Sequence, residues 1–108
     1  MFYECFENVE DLKREYEISD EDLKGVEFLY AAYRMGSYEG DSIVLFKKDG
    51  KLFIVESAHC SCYGLEGQWD PIEVTEASLK KEIEAKTNYR YEEFESFIKF
   101  CKEYFSWQ

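Results

Sequence analysis

The run SIVLFKKDGKLFIV at residues 42–55 constrains the fold more than any other part of the chain. Two apolar, β-branched segments flank Asp49-Gly50. An Asp-Gly pair accepts the positive φ needed at both central positions of the tight turn whose twist matches two paired strands. The segment therefore predicts an antiparallel hairpin with strands over 42–46 and 52–55. Residues 26–34 are rich in strand formers, and residues 36–40 have turn chemistry, which adds a third strand. Two of these strands are almost continuously apolar. A sheet of that kind needs helices over at least one face.

The flanks supply the helices. Asn8 is a candidate N-cap, with Val9, Leu12 and Tyr16 spaced along one helical face. Ser19 caps a short second turn that carries Asp20, Glu21 and Asp22 at its positive end, and Gly25 stops it. Residues 2–6 fit a strand or a helix equally well. Beyond Pro71, Thr75 caps a helix over 76–86, and Asn88 or Tyr89 opens a longer one. Phe94, Phe97, Ile98, Cys101, Tyr104 and Phe105 form a broad apolar stripe on that last helix, read as core packing against the sheet. The expected fold class is α+β: a three-stranded antiparallel β-meander with short N-terminal helices and two C-terminal helices. With 108 residues, no linker and no repeat, residues 1–108 are expected to form a single domain.

Charge narrows the function. The net charge is −11, and residues 1–27 carry ten acids against three bases. Direct binding to nucleic acid is not expected, because phosphate contacts need clustered Lys and Arg. A protein with a basic surface is the natural partner of such a face, and solubility alone is the plainer reading of the same charge. The N-terminal MFYECFENVE has acids where a secretory leader needs bases and an apolar core, and no apolar run approaches the roughly 20 residues that span a bilayer. The expectation is a cytoplasmic protein whose cysteines (Cys5, Cys60, Cys62, Cys101) are reduced thiols or metal ligands.

Residues 59–69, His-Cys-Ser-Cys-Tyr-Gly-Leu-Glu-Gly-Gln-Trp, are the one stretch with the look of a specialised site. Three readings compete there. His59, Cys60 and Cys62 are zinc-type ligands, but in an extended chain His59 faces away from the two cysteines. A tight turn would have to bring them together, and Cys5 or Cys101 would have to complete the set. Catalysis by a Cys–His pair meets the same objection, and no nucleophile, base and orienting group can be assembled, so no enzymatic role is expected. The preferred reading is a shaped connector or recognition loop. In it Gly64 and Gly67 permit unusual backbone, Trp69 folds back as an anchor and Pro71 sets the exit. No cofactor is expected; zinc at His59, Cys60 and Cys62 is the alternative.

The stretch from Ser37 to Ile83 resembles a small protein family of tailed bacteriophages and prophages. The match runs over about residues 26–83 and is most specific at His59, Cys60, Ser61, Cys62, Gly64, Leu65, Glu66, Gly67, Gln68, Trp69 and Pro71. The flanking helices are not covered. The resemblance implies a viral origin and action inside a bacterium, and implies no reaction. Together with the charge it leads to an expected function. The chain is a phage-encoded interaction protein that binds a host or defence protein, with an acidic surface imitating nucleic acid in the manner of an anti-CRISPR inhibitor. Glu10, Asp11, Glu15, Asp20, Glu21, Asp22, Glu66 and Trp69 are the candidate contact residues. A small metal-binding domain and a toxin-neutralising immunity protein are the alternatives.

Overall fold

Asp49 and Gly50 both adopt positive φ, 54° and 76°, so the hairpin turn is the one its residues specify. A computed structural model describes residues 2–4, 6, 8–35, 39–60, 65, 67–84 and 95–107. In chain order the elements are β1 (Phe2–Glu4), α1 (Val9–Tyr16), β2 (Glu27–Met35), β3 (Glu39–Lys48), β4 (Lys51–Cys60), β5 (Ile72–Val74), α2 (Glu76–Glu84) and α3 (Glu95–Tyr104). The class is α+β. No helix among the described residues is long and apolar enough to cross a membrane.

The sheet has five strands in the order β1-β2-β3-β4-β5, where three were expected. The β2-β3-β4 meander is antiparallel, whereas β1 runs parallel to β2 and gives the sheet a mixed edge. The two added strands are only three residues each. Segments that short carry no readable periodicity, and their pairing is decided by the sheet edges they meet. The meander strands run further than their apolar cores: β3 begins at Glu39 and β4 continues to Cys60.

Register organises one face of the sheet into cross-strand rows. Nearest the hairpin turn lie Phe28, Phe46 and Phe53; next come Ala31, Val44 and Val55; then Tyr33, Ser42 and Ser57. A register shift between Phe28 and Tyr30 inserts Leu29 as an extra residue. That bulge moves Phe28 onto the face of Ala31 and Tyr33, which simple alternation would deny it. This face packs with Phe6, Leu12, Tyr16 and Leu65 into one core cluster. Residues of the opposite face, Tyr30, Ala32, Ile43, Leu45 and Ile54, are also buried, which is why the strands read as nearly continuous apolar runs.

One N-terminal helix forms where two short ones were expected. Asn8 caps α1 by accepting the Asp11 N–H at 3.1 Å. Its far end closes with Glu17 in the left-handed region at φ 55°, as Ile18 N–H donates to Lys13 C=O at 3.0 Å. In the next segment Ser19 donates rather than accepts: its N–H and hydroxyl go to Asp22 Oδ2 at 2.9 and 3.2 Å, so the Asp22 carboxylate satisfies the start of the turn. That segment stays a series of i-to-i+3 turns and ends at Gly25, φ 80°.

The chain forms two compact units, Met1–Glu73 and Val74–Gln108. In the second, Thr75 caps α2: Ser78 N–H donates to Thr75 Oγ1, and Thr75 N–H donates to Ser78 Oγ, each at 3.0 Å. Leu79, Phe97 and Cys101 are fully buried, and Trp107 donates its indole N–H to Glu76 at 3.0 Å. Of the expected stripe, Ile98 and Phe105 are half-buried and Tyr104 is exposed, while Phe94 and the start proposed at Asn88 or Tyr89 lie outside the described residues.

Candidate interaction surface

The described acids of residues 8–27 lie on α1, on the turns behind it and, with Glu27, at the start of β2. Glu10, Glu17, Asp20, Glu21, Asp22 and Glu27 are exposed, and Asp11 and Glu15 are half-buried. Two of the bases in this segment are held by its own acids. Arg14 meets Asp11 at 2.6 Å, and Lys13 bridges Asp20 at 2.5 Å and Glu10 at 3.4 Å. The hydrogen bond from Lys13 to Asp20, with the fields of Asp20 and Glu10, holds the Lys13 ammonium above its ordinary pKa. Exposed pairs like these add little to stability. Their main consequence is to tie the turn at Asp20 to the side of α1.

Beneath that surface Tyr16 drops through the core. Its hydroxyl lies 2.9 Å from both Ser42 Oγ and Ser57 Oγ, and all three residues are buried. Burial raises the Tyr16 pKa, and the hydrogen bonds with Ser42 and Ser57 oppose the rise. Ser57 Oγ also donates to the Gln68 carbonyl at 3.5 Å, and the Gln68 side-chain oxygen accepts from Ala58 N–H at 3.2 Å. Gln68 is thus held against β4 by both ends of the residue.

The same contacts explain much of the residue pattern at 65–69. Leu65 is fully buried, and Gln68 N–H closes a turn onto the Leu65 carbonyl at 3.0 Å. Gly67 sits in that turn at φ 79°, a region that side chains other than glycine rarely enter. Trp69 then folds back onto the sheet. It stacks on Phe46 at 5.7 Å and 12°, and meets the edge of Tyr16 at 5.1 Å and 71°. Phe46 in turn stacks on Phe53 at 5.3 Å and 18°.

The Trp69 stack does not fill the end of the sheet. A cleft of about 270 Å³ opens there, walled by Phe46, Phe53, Trp69 and Pro71, with Asp22 and Lys48 as its charged members. Asp22 belongs to the acidic turn, so the cleft adjoins the acidic surface. The cleft residues Phe46, Phe53, Lys48 and Pro71 are additions to the expected contact set. One signal for them was available: a two-residue turn at Asp49-Gly50 puts Phe46 opposite Phe53, which is the register observed.

Of the expected ligand set, His59 and Cys60 are successive residues of β4, opposite Gly40 and Glu39. Cys62, Gly64 and the candidate contact Glu66 lie outside the described residues, as does Cys5. Among the described residues no group of three or more His, Cys, Asp or Glu side chains could hold a metal ion. Cys101 is a buried thiol whose pKa burial pushes up to about 12, which leaves it un-ionised and unreactive at neutral pH. Compared with known proteins, the chain matches no protein-family model, no curated protein and no solved structure.

Proposed function

We propose that this chain is a phage-encoded interaction protein that acts in the bacterial cytoplasm by binding a host or defence protein through its acidic N-terminal face. The observation that carries the reading is the display of Glu10, Glu17, Asp20, Glu21 and Asp22 on α1 and its adjoining turns, with Glu27 opening β2 and Lys13 and Arg14 already engaged by neighbouring acids. A concentrated negative surface attracts a basic groove, accelerates encounter and competes with the nucleic acid that groove normally holds. The resemblance of the segment ending in Trp69 and Pro71 to tailed-phage proteins supports the biological setting. Binding, with no reaction, is the assigned role.

The test is capture of a partner from bacterial lysate, followed by competition with duplex DNA or RNA. A nucleic-acid-binding protein should be retained at low salt, released as ionic strength rises, and displaced by nucleic acid. The triple variant Asp20→Lys/Glu21→Lys/Asp22→Lys should retain none. Retention that ignores both salt and charge reversal would rule the reading out.

A further inference from the structure

We infer that the cleft beneath Trp69 seats an arginine side chain presented by a basic protein partner. The inference rests on the acidic-face reading above and names the contact that would give it specificity. Size is the first argument. At about 270 Å³ the cleft falls just under the roughly 300–1,000 Å³ of sites that enclose a small molecule, so a single inserted side chain suits it better than a cofactor. The second argument is wall chemistry. Phe46, Phe53 and Trp69 form a stack of near-parallel rings, with interplanar angles of 18° and 12°. Phe46, stacked on both neighbours, is buried, so the half-buried rings of Phe53 and Trp69 are the ones on which an entering planar guanidinium can stack, attracted by their negative faces.

Charge selects a cation over an apolar plug. Asp22 is the carboxylate of the cleft. Only its Oδ2 is used by Ser19, so it keeps acceptor capacity for a guanidinium fork. The whole chain, at −11, is also negative. Lys48 is the opposing member. Its aliphatic stem runs past Gly25, where an added Cβ would lie 3.9 Å from Lys48 Cγ and Cε. The stem serves as wall, and the ammonium at the end of four flexible methylenes can turn to water as an arginine enters. Arginine is preferred to lysine because the cleft offers flat faces and a carboxylate, which a compact ammonium uses less fully.

The experiment titrates the intact chain with oligoarginine, oligolysine of equal length and oligoglutamate. Binding is followed at the Trp69 indole N–H resonance, assigned with a Trp107→Phe variant. Oligoarginine should bind roughly three- to tenfold tighter than oligolysine and shift the Trp69 resonance. Asp22→Asn, an exposed change that leaves the ring stack intact, should remove most of that preference, and Lys48→Gln should leave or increase it. If the two cationic peptides bind equally and Trp69 does not move, the cleft inference is wrong and the acidic-face reading survives. If neither cationic peptide binds, both fail. If oligoglutamate binds and Lys48→Gln abolishes it, the cleft takes an anion and the inference is overturned.

Discussion

The two ends of one sheet face are built for different purposes. At the end away from the hairpin turn, the hydroxyls of Tyr16, Ser42 and Ser57 satisfy one another under full burial. At the end nearest the turn, Phe28, Phe46 and Phe53 are capped by Trp69 but leave a cleft open. The closed end cannot accept a ligand without breaking hydrogen bonds in a low-dielectric core, which makes it a stability element. The open end leaves Phe53 and Trp69 half-buried beside that cleft. The polar network thus sits at the closed end of the face and the cleft at the other.

That contrast predicts graded consequences. Tyr16→Ala removes a ring from the core and takes the Tyr16 hydroxyl from two buried serines, and should cost about 3–5 kcal/mol in chemical denaturation. Tyr16→Phe keeps the ring and loses the hydrogen bonds, and should cost about 1–3 kcal/mol. The wild type should also lose stability in base. Burial raises the folded pKa of Tyr16 above the ordinary tyrosine value of about 10, so its contribution is complete below that pH and declines as pH rises toward the folded value. Tyr16→Phe should flatten this limb, measured as denaturation midpoint against pH; an unchanged limb would mean the hydroxyl is not sequestered. At the open end, Trp69→Leu should cost only about 1–2 kcal/mol, because Trp69 is half-buried, while removing the shared stack with Phe46. A cost as large as that of Tyr16→Ala would erase the distinction between the two ends. The smallest effect is at α1: Glu17→Gly relieves a left-handed residue at φ 55° and should stabilise by about 1 kcal/mol in the same assay.

Much of the site was legible in the sequence in one form and hidden in another. The caps at Asn8 and Thr75, the stop at Gly25 and the turn at Asp49-Gly50 depend on local chemistry, and each does in the structure what its side chain or missing Cβ specifies. The fold-back of Trp69 follows from similar cues at Gly67 and Pro71. The cleft as a whole was not legible. The pairing of Phe46 with Phe53 follows from the two-residue turn, but the cleft also requires Asp22, 24 residues before Phe46 in the chain, to line the same space as Trp69. That β4 should extend as far as Cys60 was not legible, because Ser57 to Cys60 lack an apolar pattern and are held by pairing with residues 39–42.

By itself, then, the sequence determined the elements whose causes are local: a β-meander with a hairpin at Asp49-Gly50, helix caps, an acidic first quarter and a glycine-shaped approach to Trp69. Tertiary structure alone decided the edge strands β1 and β5, the bulge that aligns the phenylalanines, the hydroxyl network of Tyr16 and the meeting of Asp22 with the aromatic stack. The physical reason is range. Caps and turns act over three or four residues, whereas strand pairing and burial are chosen by competition among distant segments for the same apolar surface.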